Sequence, residues 1–262
     1  MFILPQIYLS FSGKGRPLWD RLVPVFCCVL LLSLYLPSPV LAAPSQPYAS
    51  KKMAHYARDM EFYYLEQRPE VLPGMLRAFE REGGLAKAEN RLMLAAFYAE
   101  LVQRQPALFD SLLTAQPPLG RPGRHVLAWT AHLAQLPDAD RRILGLLDRQ
   151  DDALIRQLER SPRRISQWDI WAEPAVQQLY WGAFMASGNM AWLDTLIMAA
   201  LRYGPLQAAG RQKEAAFAIS AAVAASLYEL APRHARIRQR LEALLPTVQE
   251  QEAEVIRTIL RR

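Results

Sequence analysis

Cysteine is nearly absent. The 262 residues hold two, Cys27 and Cys28, side by side in the apolar N-terminal run. Everything after residue 42 therefore lacks a disulfide framework, a thiol nucleophile and a cysteine metal site. Histidine is almost as scarce, with His55, His125, His132 and His234 only. His125 and His132 are two helical turns apart, too distant to share an ion, and neither stands in an HExxH pattern. The chain has no GxSxG elbow, no SxxK and no glycine-rich phosphate loop ending in Lys-Ser/Thr. No metal and no cofactor is expected. Glycines number 12 and β-branched runs are missing, which argues against a sheet.

The first forty residues are of a different kind. Lys14, Arg16 and Arg21 precede the apolar run Leu22–Leu36, followed by "PSPVLAAPSQ". A basic n-region, an apolar h-region and small residues at Val40 and Ala42 describe a secretory signal peptide cut after Ala42. The expected location is periplasmic or secreted. The minority reading is an uncleaved inner-membrane anchor, but a span needs about 20 apolar residues, and Pro24, Pro37 and Pro39 bracket this run. Lipidation is not expected, because Phe26 precedes the cysteines. Beyond residue 42 the charge is 28 basic (31 − 3) minus 24 acidic (25 − 1), or +4, and arginine outnumbers lysine 24 to 4. The densest basic stretches, "SPRRIS" (161–166) and "RHARIRQR" (233–240), read as solvated helix faces. An exported chain is not expected to bind nucleic acid. Weak contact with acidic lipid or an envelope polymer through these faces remains open.

From about Ser50 the pattern is helical almost throughout, rich in Ala, Leu, Arg, Gln and Glu. Pro or Gly punctuation recurs every 10 to 20 residues. The spacing predicts an all-α fold of roughly ten helices joined by short loops. Gly188 and Asn189 read as a C′ glycine followed by an N-cap. "AQPPLGRPGR" (115–124) is the longest loop candidate, placing a linker between a helical subdomain 43–114 and a helical-hairpin subdomain 125–262. "AFYAE" (96–100), "AWTAH" (128–132), "AFMAS" (183–187) and, more weakly, "AFAIS" (216–220) repeat one motif inside successive helical hairpins. The first two, and the last two, start 32 and 33 residues apart, close to a 34-residue tetratricopeptide unit. The expected architecture is an array of antiparallel hairpins, an α-solenoid resembling tetratricopeptide proteins. Paired small residues on these helices permit close approach, so "LYWGAFMASGN" (179–189) reads as a packing seam rather than a pocket.

"FYYLEQRPEVLPGMLRAFEREGGL", "LAAFYAELVQRQP" and "QLYWGAFMASGN" resemble segments of uncharacterised exported bacterial all-α proteins over roughly residues 60–245. Gln105-Pro106 stands where that pattern has Asn-Pro. The resemblance implies an all-α fold and no established activity, so it transfers no catalytic residue.

Two patterns remain as candidate chemistry. In "QWDIWAEP" (167–174), Asp169 and Glu173 stand i, i+4 between Trp168 and Trp171, the composition of a glycan-cleaving carboxylate pair framed by sugar-stacking aromatics. Against that, acids just before a helix start are commonly caps. The position after each repeated motif is polar: Glu100, His132, Ser187 and Ser220. Stacked hairpins would bring these four to line one groove with Trp168 and Trp171. The expected function is a non-catalytic periplasmic or secreted helical-repeat module that binds a protein or peptide partner in the cell envelope. The alternatives are an envelope glycan-processing enzyme using Asp169 and Glu173, and an inner-membrane-anchored envelope protein.

Overall fold

The computed structural model describes residues 51–261. The signal-peptide and anchor expectations fall outside them. Every regular element among the described residues is helical. The order is α1 (Lys51–Glu61), α2 (Leu72–Arg81), α3 (Ala88–Arg104), α4 (Ala107–Thr114), α5 (Arg121–Leu133), α6 (Ala139–Leu146), α7 (Asp152–Arg160), α8 (Val176–Ser187), α9 (Met190–Leu201), α10 (Tyr203–Ala208), α11 (Ala215–Leu230), α12 (Ala235–Leu244) and α13 (Glu250–Leu260). These are more and shorter helices than the ten expected. One cause is visible at Arg202, where α9 stops and Gly204-Pro205 open the short α10.

Local chemistry explains the joints. Gly188 ends α8 in the left-handed region at φ +62°, a conformation that glycine adopts without a Cβ penalty. The next residue, Asn189, accepts the Ala191 N–H on its side chain at 3.0 Å and starts α9. Pro106 separates α3 from α4 at a position where its missing N–H costs nothing.

The centre of the fold is α3. Its most extensive partner is α8, and its next is α5. Thr130 on α5 faces the Ala95 carbonyl and Gln103 donates to the Leu133 carbonyl at 3.1 Å, so α3 and α5 run in the same direction. Gly182 on α8 lies against Met93, while Ser187 reaches Glu100, so α8 runs parallel to α3 as well. Three of the four repeated motifs therefore lie side by side on parallel helices, with Phe97 and Phe184 fully buried between them. In a linear solenoid each hairpin contacts its chain neighbours in order. Here the first of the three motif helices lies between the other two. The fourth, on α11, packs on α9 instead.

The stretch 115–124 divides differently from its composition. Residues 121–124 form the first turn of α5, and 115–120 form the loop. Two residues of α2, one turn apart, fasten it. The buried Arg77 donates to the carbonyls of Pro117 (2.6 Å), Leu112 (3.1 Å), Pro73 (3.1 Å) and Ala115. Glu80 accepts the N–H groups of Gly120 (2.9 Å) and Gly123 (2.7 Å), placing a carboxylate at the start of α5 where the helix dipole favours one. One continuous apolar core runs on both sides of this loop, from Met53 to Ile259.

Candidate functional site

The four polar positions after the repeated motifs separate into three places. Glu100 and Ser187 meet, because α3 and α8 are parallel neighbours in register. Burial pushes the Glu100 carboxyl above its ordinary value, and Trp192, Arg104 and Ser187 partly offset the rise. The Arg104 guanidinium is 3.8 Å away. The Trp192 indole N–H faces this carboxylate without a hydrogen bond of regular geometry. Ser187 spends its own hydroxyl proton on the Ala183 carbonyl at 2.6 Å.

His132 is elsewhere. Its Nε2 lies 3.1 Å from the Ser161 carbonyl and 3.2 Å from the Pro162 carbonyl. Both partners only accept, so Nε2 carries the proton. Burial lowers the pKa of this ring, against the pull of the two carbonyls. Trp168 joins the same corner, donating Nε1–H to the Pro162 carbonyl at 3.0 Å and meeting Trp129 edge-on at 5.9 Å. Ser220 is fully buried on α11, where its hydroxyl donates to the Ala216 carbonyl at 2.8 Å. The common groove needs all four hairpins stacked in one register, and α11 stands outside that stack.

The carboxylate pair changes character too. Residues 169–175 form turns, and α8 begins only at Val176, so the i, i+4 spacing of Asp169 and Glu173 is not helical. Both are exposed. The Asp169 carboxylate accepts the Trp171 N–H at 2.9 Å, a turn contact of the kind aspartate commonly makes. Trp171 carries the Arg202 guanidinium over its ring at 4.7 Å.

Sequence reading missed the most elaborate polar cluster. Glu61, at the end of α1, receives the N–H of His234 Nε2 at 2.9 Å and a guanidinium N–H of Arg233 at 2.9 Å. The carboxylate only accepts, which assigns the proton to Nε2 and leaves Nδ1 to face the Tyr64 hydroxyl at 2.9 Å. His234 is 1% exposed and Glu61 3%. Phe62 stacks on the imidazole at 4.5 Å between centroids, and Arg236 covers the Tyr64 ring at 5.1 Å while reaching the Gly188 carbonyl. The network ties the first helix to the chain 173 residues later. The only local signal was a histidine set among arginines in "RHARIRQR".

A second cluster joins α5 to the start of α7. Asp151, whose side chain is fully buried, takes Arg121 Nε and His125 Nε2 on one oxygen, each at 2.7 Å. Its other oxygen accepts the Asp148 N–H at 3.1 Å. Burial alone would raise this carboxyl, but the Asp148 amide, His125 and Arg121 together outweigh it and hold the pKa at about 2. A carboxylate depressed below its unfolded value stabilises the fold above that value and loses the contribution as pH falls toward the folded one. Wild-type stability is therefore expected to drop by about 1 to 2 kcal/mol more than that of Asp151→Asn between pH 5 and pH 2, the exposed side of Arg121 being screened by solvent. Chemical denaturation across that window reads the difference, and parallel pH profiles would remove Asp151 from the account.

The basic stretches are internally engaged. In 233–240, Arg233 pairs with Glu61, Arg236 with the Gly188 carbonyl, Arg238 with Glu242 and Arg240 with Asp194 through two bonds. In 161–166, Arg163 pairs with Asp140 and Arg164 reaches Gln135. Among the described residues, no group of three or more His, Cys, Asp or Glu is placed to hold a metal ion, and no helix is long and apolar enough to cross a membrane. No family model, curated protein or solved structure matches the chain.

Proposed function

We propose that the chain is a non-catalytic helical-hairpin module of the periplasm or the secreted fraction that binds a helix of a partner protein. The resemblance to exported all-α bacterial proteins belongs to the same reading. Its hairpins 88–114, 121–146 and 176–201 are taken as tetratricopeptide-like repeats, folded back so that the first is central.

The observation that carries the reading is α11. No charge lies between Glu214 and Glu229, yet the helix buries only one side, through Ile219, Ser220, Val223, Ser226, Leu227 and Leu230. Ala215, Ala218 and Ala225 are exposed on the other, with Ala222 half-buried between them. This 3-4-3 spacing of methyl-sized side chains forms one straight stripe, the surface that lets a second helix approach closely. A solvated helix of ordinary composition would carry charges there. The buried titratable groups argue in the same direction, since Glu61, Asp151 and His132 are all spent on internal contacts. The glycan-processing alternative loses the helical spacing on which Asp169 and Glu173 were paired, and the closed basic stretches offer acidic lipid little free charge.

A photo-crosslinking side chain at Ala218 tests the proposal against the same probe at the exposed Arg156. A single discrete adduct from position 218 that disappears with Ala225→Arg is the expected result. Equal labelling from both positions, or an adduct indifferent to Ala225→Arg, would overturn it.

A further inference from the structure

We propose that Glu100, Ser187 and Trp192 form a pH-sensitive clasp between α3 and the α8–α9 turn, one that closes fully only when Glu100 is protonated. Glu100 lies one turn before the end of α3, with 10% of its side chain exposed. Ser187 is the last residue of α8 and Trp192 the third of α9. The carboxyl therefore meets both arms of the turn made by Gly188 and Asn189.

The hydrogen bonds around Ser187 decide which form of the acid fits. Its hydroxyl donates to the Ala183 carbonyl at 2.6 Å, and the same oxygen accepts the Asn189 N–H at 3.1 Å. What Ser187 presents to Glu100 is thus a lone pair. An ionised carboxylate only accepts, so oxygen then faces oxygen with no proton between them. A protonated carboxyl donates to Ser187 Oγ and turns its carbonyl oxygen to the Trp192 indole N–H, a buried donor without a regular bond. Satisfying a buried donor removes a cost of about 1 to 3 kcal/mol.

The surrounding charges do little to hold the ionised form. Arg104, on α3 itself, is half-exposed and 3.8 Å away. α8 carries no charged residue, and its Tyr180 donates to the Trp168 carbonyl. The one charge on α9, Asp194, is held by Arg240 of α12 through two bonds. Arg236 of α12 is directed at the Gly188 carbonyl and the Tyr64 ring. From α5, His132 turns to the Ser161 and Pro162 carbonyls, and Asp110 of α4 pairs with Arg142. The last carbonyls of α8 add the negative end of its dipole. Burial accordingly pushes the Glu100 carboxyl above its ordinary value, against Trp192, Arg104 and Ser187. A carboxyl raised in this way stabilises the fold below its unfolded value and loses the contribution as pH rises through the folded one, the reverse of Asp151.

Two measurements test the clasp, both on the folded protein between about pH 4 and pH 8. Chemical denaturation compares wild type with Glu100→Gln, which keeps Asp151 and so cancels its contribution. The unfolding constant of wild type relative to the variant is expected to rise at least about threefold across that window. The second readout is Trp192 fluorescence, taken as the difference between wild type and Trp192→Phe. It is expected to titrate with a midpoint above the value of about 4.3 ordinary for glutamate, and the step should vanish in Glu100→Gln. Arg104→Gln removes the nearest cation and is expected to move the midpoint further up. Parallel stability profiles overturn the proposal, as does a fluorescence step that persists in Glu100→Gln or a midpoint indifferent to Arg104→Gln. The clasp and the alanine face of α11 share no residue, so failure of one leaves the other intact.

Discussion

Gly182→Ala is expected to destabilise the protein by about 3 kcal/mol, although alanine is the better helix former by about 1 kcal/mol. A Cβ on Gly182 would sit 2.0 Å from the Met93 carbonyl oxygen and 3.0 Å from the Phe97 amide nitrogen. These are backbone atoms of α3, so no side chain can rotate away and the two central helices must separate. Separation loosens the most extensive helix pair of the fold, around Phe97, Tyr98 and Phe184, all essentially buried. Gly145 supplies the opposite case. It too is helical, in α6, but a Cβ there meets nothing within 4 Å. Gly145→Ala is expected to stabilise by about 0.5 to 1 kcal/mol. Thermal melts of the two variants should therefore move in opposite directions, Gly182→Ala downward by roughly 6 to 12 °C. A rise for both would mean that α3 and α8 are not in backbone contact.

That contact shows what was legible in advance. Small residues on "LYWGAFMASGN" announced a close seam, and the turn after it was readable to the residue, because Gly188 and Asn189 act through their own backbone and nearest amides. Helical class followed from composition for the same local reason. The order of the stack did not. Whether α3 lies next to α5, α8 or both depends on the fit of whole faces across the chain, and the repeated motif is equally suited to any neighbour. The groove of Glu100, His132, Ser187 and Ser220 inherited that ambiguity: it assumed stacking in chain order, and only the Glu100–Ser187 contact survives where two motif helices are in register. Asp169 and Glu173 do not share a helix face, for a smaller reason. Their i, i+4 relation has meaning only inside a helix, and residues 169–175 precede α8, which begins at Val176. The Glu61–His234 contact spans most of the described chain, and nothing near either residue marks the other as its partner.

The last expectation concerns that contact. Glu61→Ala is predicted to cost about 2 to 3 kcal/mol, the range for losing a charged hydrogen-bond acceptor from a buried donor. The loss exceeds that of a surface ion pair, because His234 is left with an unpaired Nε2–H in a site 1% exposed, and Arg233 loses its carboxylate. Tyr64→Phe removes only the hydroxyl facing Nδ1 and should cost about 1 to 2 kcal/mol. The two effects should not add. With Glu61 gone, the imidazole is free to turn or change tautomer, and the Tyr64 hydroxyl then has a less defined partner to lose. A coupling of at least about 0.5 kcal/mol is expected in the double-mutant cycle measured by chemical denaturation. Glu61→Gln separates the hydrogen bond from the charge. Its amide oxygen still accepts the Nε2–H, so it should recover much of the loss seen with alanine. Additive single effects, with Glu61→Gln as damaging as Glu61→Ala, would show that Glu61, His234 and Tyr64 hold the first helix independently rather than through one shared ring.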